Sequence, residues 1–360
     1  MKFIGIDLHS NRFNICILDQ GGSKAKEKYE IDEEGLAKFS EILDSSTYLI
    51  VESSTNTFAF ISLFKEQVRR IIVVNPFKMK LIPLGNKKTD KVDAEKLATY
   101  LKMCIMTSEE LICEVYVPEE SIQKLRALFS THRLLRKQIT QVKNRIHSLF
   151  KQNLYPFTKE YIFGKARRKQ LLEIELHMAD RLQIELLLDQ LSVIEEKVSE
   201  IEKMIKQVGE AYYSEVDLLT SMRGISVKTA LAIIADVGEV TRFANSKHFC
   251  SYLRSTPVVD SSNQTTRMKG TTKFGRTLTI TLIAQSLNHF RNGNPKLNRW
   301  YLKYDGYKSK GKIRMSLMRR TLTEIYQMLK KSEYHYYRDP ENHKKKMNEY
   351  DRFLIKQNIA

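Results

Sequence analysis

The first part of the chain alternates short apolar runs with amphipathic stretches. Four apolar runs, each bounded by polar or turn-forming residues, are typical of β-strands. They are Lys2–Asp7, Phe13–Leu18, Tyr48–Val51 and Ile71–Val74. Ala25–Ile31, which follows a turn signal, is predicted as a third strand that completes a meander. Helical spacing marks Glu33–Leu43 and Phe58–Arg69, and Thr89 suits the cap of a third helix that runs to Met103. The predicted order β-β-β-α-β-α-β-α is that of an RNase H-like α/β fold.

Two long apolar stripes with heptad spacing follow. Apolar residues three and four positions apart run from Leu125 to Leu149 and again from Ile184 to Val208. This spacing predicts a coiled-coil helical arm. Pro156 interrupts helix between the stripes, so an antiparallel hairpin is natural, although pairing with a second subunit satisfies the same pattern. His132 on the first stripe is interpreted as a packed core histidine rather than a ligand.

Basic charge is concentrated at the C-terminal end. The chain has 60 Lys and Arg against 42 Asp and Glu, for a net charge of +18. Residues 241–360 hold 25 of the basic and 8 of the acidic residues, which is +17. Because a solvated basic surface rarely shows such asymmetry, we expect the last third to bind nucleic acid through its phosphates.

Cysteine content and hydropathy indicate the compartment. The four cysteines are dispersed without a CxxC pair, which argues against a disulfide scaffold or a thiolate zinc site. No apolar run approaches the ~20 residues of a membrane span, and the N-terminus lacks the pattern of a signal peptide. We therefore expect a cytoplasmic protein and no membrane partner.

Four acidic residues stand where this fold could perform metal chemistry. Asp7 ends the first predicted strand and Glu52 ends the fourth, whereas Asp90 and Asp93 lie on one face at the start of the last helix. Acids at strand ends and in first helical turns are individually common and usually structural. All four together can converge on Mg²⁺, since hard oxygen ligands hold the ions that assist phosphoryl transfer.

The last third contains a helix–turn–helix pattern and a serine in basic surroundings. Met222–Ala230 leads into an apolar helix closed by Gly238, similar to a helix-hairpin-helix that presents backbone N–H groups to phosphate. Between residues 261 and 320 there are 14 basic residues and one acid. Asp260–Thr266 shows neither helix nor strand periodicity and is predicted to be a polar loop. A serine there could attack a phosphodiester, although most such serines are only loop residues.

These residues together resemble a family of mobile-element proteins. The chain is similar to the DEDD transposases of the IS110 family of insertion sequences, which are related to Piv-type DNA invertases and linked to recombination guided by a bridge RNA. The most specific element is the run Lys88–Ala94. The resemblance also rests on Gly5-Ile6-Asp7, Glu52–Thr55, Asn75-Pro76, Gly224-Ile225 through Gly238, Arg242-Phe243, Pro257, Ser262 and Lys273-Phe274-Gly275.

The resemblance implies domains and functional residues. It implies a RuvC-like (RNase H-fold) domain at 1–115, the arm at 116–210, a mainly helical, basic C-terminal transposase domain at 211–335, and a basic tail at 336–360. The implied metal ligands are Asp7, Glu52, Asp90 and Asp93, holding two Mg²⁺ ions or Mn²⁺ in their place. The implied nucleophile is Ser262, by its distance from Pro257, in preference to Ser261. The cations expected to contact DNA are Arg254, Arg267, Lys269, Lys273 and Arg276.

The expected function is DNA strand cleavage and exchange through a serine–DNA covalent intermediate. Donor and target DNA, a structured guide RNA, and a homo-oligomer (dimer or tetramer) are the expected partners. The resemblance also implies a prokaryotic protein associated with the nucleoid. Asn56 and Asn263 stand where the family commonly has glycine, and we expect Asn to tolerate a left-handed turn there. The alternatives are a RuvC-like nuclease or junction resolvase, in which water attacks, and a non-catalytic nucleic-acid-binding protein. A covalent protein–DNA adduct distinguishes the serine recombinase from the nuclease or resolvase. Metal-dependent cleavage distinguishes both enzymes from the non-catalytic binding protein.

Overall fold

The structure is a computed structural model that divides into two compact units, Met1–Val117 and Pro118–Ala360. It describes residues 1–75, 90–107, 114–155, 163–164, 167–168, 171, 173–262, 265–272 and 274–359. Within these ranges, the side chains of 90–92, 258–262, 265–269 and 358–359 are left out of the description. Several motif residues, namely Pro76, Lys88, Thr89, Asn263 and Lys273, and also Pro156 of the predicted helix break, lie outside the described residues.

The first unit is built on a five-stranded mixed sheet. Its strands are β1 (Lys2–Leu8), β2 (Arg12–Asp19), β3 (Lys24–Glu30), β4 (Thr47–Glu52) and β5 (Arg70–Val74). Their order across the sheet is β3-β2-β1-β4-β5. The β1–β2 and β2–β3 pairs are antiparallel, whereas β4 runs parallel to both β1 and β5. All five predicted strands are confirmed, within one residue at each end.

Helices cover both faces of this sheet. Helices α1 (Glu33–Glu41) and α2 (Thr57–Phe64) bury Phe39 and Phe60 on the face lined by Ile4 and Ile6 of β1. Helix α3 (Asp90–Thr107) packs Leu97, Ala98 and Leu101 on the opposite face. The three predicted helices are thus present, with different ends. Helix α2 ends at Phe64, five residues before the predicted Arg69, and α3 continues four residues beyond Met103. Burial of apolar side chains on both faces explains why the central strands are almost continuously apolar.

Two long helices of the second unit pair antiparallel within the same chain. Helix α4 (Glu120–Gln152) packs against α5 (Met178–Val208). The start of α4 lies beside the end of α5, since His132 contacts Glu202, whereas Arg145 near the end of α4 contacts Gln183 near the start of α5. His132 is 9% exposed and bonds Glu202 Oε1 at 2.9 Å, so it is a packed histidine as predicted.

The rest of the second unit is mainly helical. Its helices are α6 (Tyr213–Thr220), α7 (Val227–Val237), α8 (Ser246–Tyr252), α9 (Leu278–Asn292), α10 (Pro295–Tyr304), α11 (Lys310–Lys331) and α12 (Pro340–Ile359), with 3-10 turns at Gly209–Tyr212 and Val240–Arg242. The apolar helix α7 is buried along most of its length. Leu125 and Phe129 of α4 and Ile205 of α5 join the same core, so the base of the helical pair is continuous with it. Among the described residues, no helix is long and apolar enough to cross a membrane.

The prediction of a loop over Asp260–Thr266 is wrong. The structure has an antiparallel hairpin of β6 (Pro257–Ser262) and β7 (Thr265–Thr271), in which Ser262 pairs with Thr265 and Ser261 with Thr266. The sequence of this hairpin shows no regular alternation of apolar and polar residues. Its β-branched content, which favours extended backbone, was the available signal. These residues are Val258, Val259, Thr265, Thr266 and Thr271.

Candidate active site

Asp7 and Glu52 occupy adjacent positions on neighbouring strands. The parallel ladder of β1 and β4 ends with Ile6 opposite Val51, so the next residue of each strand is one of the two acids. Phe3 of β1 and Ile50 of β4 pack on the α3 face of the sheet. Since side chains alternate along a strand, Asp7 and Glu52 belong to that same face. The structure therefore brings these two carboxylates to one place.

Helix α3 approaches β1 unusually closely. A Cβ atom added to Gly5 would lie 2.2 Å from the carbonyl oxygen of Ala94 and 2.4 Å from the amide nitrogen of Ala98. Such a separation is possible only for glycine, because no side chain intervenes between strand and helix. Gly5 lies two residues before Asp7, so the helix backbone is fixed directly beside the candidate site.

The direction of α3 brings its first turn to the same end of β1. Lys102, late in α3, donates a hydrogen bond to the carbonyl oxygen of Asp19 at 2.8 Å, and Asp19 pairs with Lys2 at the start of β1. Ala94 lies at Gly5, so the helix runs antiparallel to β1 and begins toward Asp7. Asp93 is thereby carried to the end of β1 that holds Asp7.

Of the two acidic site candidates on α3, the structure describes the side chain of Asp93 but not that of Asp90. The Asp93 carboxylate is 43% exposed and lies 3.5 Å from Nζ of Lys96. Asp90 is the first residue of the helix, and its side chain lies outside the described residues. Among the side chains that are described, no group of three or more His, Cys, Asp or Glu is close enough to hold a metal ion. The donor set of Asp7 and Glu52 nevertheless fits a hard divalent cation, which prefers carboxylate oxygens.

His9 lies beside Asp7 of the candidate site, and the sequence analysis did not select it. Its Nε2 atom lies 3.1 Å from Oδ2 of Asp7, and its carbonyl oxygen accepts a hydrogen bond from Asn56 Nδ2 at 2.8 Å. Asn56 has a φ of −98°, so the left-handed turn that we expected at this position is absent. Its side chain instead ties the start of α2 to the β1–β2 connection. The spacing Asp-x-His was the only signal in the sequence.

The base of the β6–β7 hairpin is held by backbone contacts. Arg254, with a left-handed φ of 57°, donates from Nε to the carbonyl oxygen of Thr272 at 3.0 Å. Gly275 has a φ of 106°, and an added Cβ would lie 2.2 Å from the carbonyl oxygen of Tyr252. The amide of Arg276 donates to that same oxygen at 3.1 Å. The strand that pairs with Ser262 therefore leaves the hairpin in a fixed direction.

A buried carboxylate fixes the segment that follows. Asp236, 2% exposed, accepts hydrogen bonds from Arg276 Nε at 3.0 Å and from the amide of Thr279 at 2.8 Å. Arg126 of α4 donates to the carbonyl oxygen of Ala235 at 2.7 Å. Burial lowers the pKa of Arg126, and the neighbouring charge of Arg276 lowers it further. These contacts join α4, α7 and the start of α9 beside the hairpin.

The five cations expected to contact DNA are only partly placed. Arg254 and Arg276 both lie at the hairpin base, where each also makes the structural contact described above. Arg276 remains 38% exposed. The side chains of Arg267 and Lys269, and the whole of Lys273, lie outside the described residues.

The predicted helix–turn–helix is present between α6 and α7. Gly224 has a φ of 95°, and the Ser226 hydroxyl caps α7 by accepting from the Thr229 amide at 3.2 Å. A Cβ at Gly224 would lie 3.0 Å from Cβ of His289, so the turn packs on α9. This close packing requires glycine independently of any contact with phosphate.

Comparison with known proteins gives the family. Residues 4–155 match the model for DEDD transposases of the IS110 type, and residues 216–299 match the transposase model of the IS116/IS110/IS902 family. A relative from Sinorhizobium fredii (strain NBRC 101917 / NGR234), y4qE, described as a candidate transposase, is 22% identical over 297 residues, which cover 79% of this chain and 70% of that protein. Transposases cleave and recombine DNA, and the DEDD family suggests dependence on a divalent metal. The chain belongs to the IS110 family of insertion-sequence transposases.

Proposed function

We propose that this transposase cleaves DNA strands at a magnesium site formed by Asp7, Glu52, Asp90 and Asp93. The observation that carries the proposal is the placement of Asp7 and Glu52 side by side on parallel strands, at the end of β1 toward which α3 begins. The strand order β3-β2-β1-β4-β5, with three antiparallel strands followed by two parallel ones, supports an RNase H-like, RuvC-like fold for this unit.

The residues of this site have separate tasks. When bound, two Mg²⁺ ions, or Mn²⁺ in their place, would stabilise charge on the attacking and leaving oxygens of the phosphodiester. Asp7 and Glu52 would hold the cations with their carboxylates. His9 orients the Asp7 carboxylate through Nε2, and Asn56 fixes the His9 backbone. The last two residues are positioning residues in this proposal.

Ser262 is the proposed nucleophile for strand exchange. Its hydroxyl oxygen would form a bond to phosphorus as the bond to a sugar oxygen breaks, and the serine proton passes through solvent while the leaving oxygen takes up a proton. Attack by the hydroxyl of a second strand then reverses the step and releases the serine. Ser262 ends β6 and pairs with Thr265 at the tip of the hairpin, and this position supports the assignment. Cations would offset the charge that develops. The cations proposed for this task are Arg254, Arg267, Lys269, Lys273 and Arg276.

A trapping experiment tests the nucleophile. The full chain, purified with any RNA that accompanies it, is incubated with nicked DNA from the ends of its element, and adducts are mapped by mass spectrometry. We expect a phosphoserine at Ser262, no adduct with Ser262→Ala, and an adduct with the matched control Ser261→Ala. Cleavage without an adduct, by the wild type and by Ser262→Ala alike, would instead establish a water-dependent nuclease or junction resolvase. A phosphoserine at Ser261 would move the assignment by one residue.

A parallel experiment tests the metal site. Asp7→Asn and Glu52→Gln keep the size of each side chain and remove its charge. We expect both variants to lose Mg²⁺-dependent cleavage, and to lose the stabilisation against heat that Mg²⁺ gives the wild type. Glu66→Gln, at an exposed acid of the same unit, serves as the control. Cleavage by Asp7→Asn at the wild-type rate would refute the site.

The proposed partners are donor and target DNA, a structured guide RNA and further copies of the chain. The +17 charge of residues 241–360 supports a polyanionic partner. The paired helices α4 and α5 are the proposed coiled-coil arm. Light scattering measures whether copies of the chain assemble into a dimer or tetramer. To test for a guide RNA, the RNA that copurifies with the protein is sequenced and then assayed with matching DNA. Absence of any specific RNA from an active preparation would remove the guide from the proposal.

A further inference from the structure

Helix α10 and its neighbours form a basic surface with interleaved aromatic rings. The segment Pro295–Arg320 contains nine Lys and Arg and a single acid, Asp305. It includes Trp300, which is the only tryptophan of the chain. Trp300 packs one edge on the core of the second unit, while Lys303, Lys308 and Arg320 are exposed.

The aromatic rings and the cations of this surface are in direct contact. The Arg320 guanidinium lies 4.5 Å from the centre of the Trp300 ring, and the Lys308 ammonium lies 4.1 Å from that of Tyr304. The Trp300 and Tyr304 rings pack against each other with centres 5.3 Å apart. Lys303 adds a second cation 5.8 Å from Tyr304. Each cation is held in place by a ring rather than by a carboxylate.

A glycine turn shapes the end of the surface. Gly306 has a φ of 88°, and the amides of Tyr307 and Lys308 both donate to the carbonyl oxygen of Tyr304, at 3.2 and 3.3 Å. This tight turn returns Lys308 over the Tyr304 ring. It leaves the Tyr307 ring 87% exposed. An aromatic side chain so exposed contributes little to the fold and is available to a ligand.

Charge on this surface is uncompensated. Among the side chains that the structure describes, Lys303, Lys308 and Arg320 form no ion pair with an acid. Folding therefore leaves three cations beside the Trp300 and Tyr304 rings, with the exposed Tyr307 ring on the same turn. Backbone phosphates neutralise such cations, and nucleobases stack on such rings when they are not paired within a duplex.

We infer that Trp300, Tyr304 and Tyr307, with Lys303, Lys308 and Arg320, bind a single-stranded polynucleotide. The phosphates contact the cations, and at least one base stacks on the exposed Tyr307 ring. A duplex satisfies only the phosphate contacts, because its bases are already stacked on one another. The inference rests on the proposed function only in requiring nucleic acid as partner, and it uses none of the carboxylates and not Ser262.

The single tryptophan allows a direct test. Full-length protein, freed of copurified nucleic acid at high salt, is titrated with oligo(U), oligo(dT) and a DNA duplex of equal length while Trp300 fluorescence is recorded. We expect saturable quenching by at least one single strand, at a concentration at least about fivefold below that needed for the duplex. The RNA and DNA arms show which strand is preferred. Equal quenching by duplex and single strands, or no quenching, would overturn the inference.

Two substitutions and their controls separate stacking from charge. Tyr307→Ala should weaken single-strand binding by at least about fivefold, whereas Tyr307→Phe, which keeps the ring, should restore it. Lys308→Gln should reduce the slope of log affinity against log salt by about 0.7, the value for one phosphate on a single strand. Lys344→Gln makes the same change of charge at an exposed α12 residue and should leave binding as it is. Wild-type affinity and salt slope in both Tyr307→Ala and Lys308→Gln would refute the site.

The same preparations distinguish this inference from the proposed function. The variants are also assayed for cleavage and adduct formation on nicked DNA. Adduct formation by a wild-type protein whose Trp300 is not quenched would sink the inference and leave the function standing. Saturable quenching in a protein that forms no adduct and cleaves no DNA would support the single-strand surface and refute the proposed catalytic function.

Discussion

Gly5→Ala tests whether close contact between α3 and β1 positions the acidic site. The new Cβ would lie 2.2 Å from the Ala94 carbonyl oxygen, whereas ordinary contacts of this kind begin near 3.4 Å. The helix must therefore move away by about 1 Å, since neither backbone can yield locally. Overpacking of this size costs about 1–3 kcal/mol. A displacement of about 1 Å at a catalytic group can lower the rate by about 100-fold.

The consequence is measured in two ways on Gly5→Ala. Amide hydrogen exchange of α3 peptides should accelerate by about 5- to 150-fold, which corresponds to the expected loss of free energy. Single-turnover cleavage with Mg²⁺ should fall by at least about tenfold. Gly21→Ala is the control in the same unit, because its Cβ would meet no atom closer than 3.5 Å. Wild-type exchange and cleavage in Gly5→Ala would refute the reasoning.

Three further predictions concern single contacts. Asn56→Ala removes the hydrogen bond to the His9 carbonyl oxygen, so Mg²⁺-dependent cleavage should fall about tenfold in single-turnover assays while circular dichroism is unchanged. Asp236→Asn removes the charge of a buried carboxylate that pairs with the partly exposed Arg276, and the urea midpoint followed by tryptophan fluorescence should fall by the equivalent of about 1–3 kcal/mol. Hydrogen bonding from His132 lowers the pKa of Glu202 to about 2, below its unfolded value of 4.5. Glu202→Gln should therefore lower the free energy of unfolding by about 1 kcal/mol at pH 6. The difference from the wild type should shrink as the pH falls from 4.5 toward 2. A difference that stays constant over this range would contradict the prediction.

Sequence pattern was sufficient for the elements that bury an apolar face. The strand β4 and the helices α4 and α5 were predicted because each repeats apolar residues with the period of its own geometry. Even β3, whose residues are mostly exposed, was found from its place beside a turn. The hairpin β6–β7 was missed because its sequence lacks apolar alternation, and its backbone pairing appears only in the structure. Where periodicity is absent from a sequence, composition is the remaining evidence.

Contacts made through the backbone were equally hidden from sequence reasoning. Asp7 and Glu52 could be placed at strand ends, but the role of His9 depends on a 3.1 Å contact formed only after β1 turns into β2. Cation–ring contacts such as Arg320 over Trp300 join residues twenty positions apart. The excess of basic residues in the last third indicated a nucleic-acid surface in general. The pairing of particular rings with particular cations required the packing of α10 on α11.

Two motif glycines show how this chain positions its candidate functional groups. Gly5 stands two residues before Asp7, and Gly275 follows the hairpin that carries Ser262. At each glycine, an added Cβ atom would lie 2.2 Å from a backbone carbonyl oxygen. In both places a glycine lets one backbone segment lie directly on another, where a side chain would hold them apart. Backbone contacts of this kind have fewer degrees of freedom than contacts between side chains. The motifs shared with the family thus combine residues of two kinds, namely those proposed to react and glycines that fix the backbone carrying them.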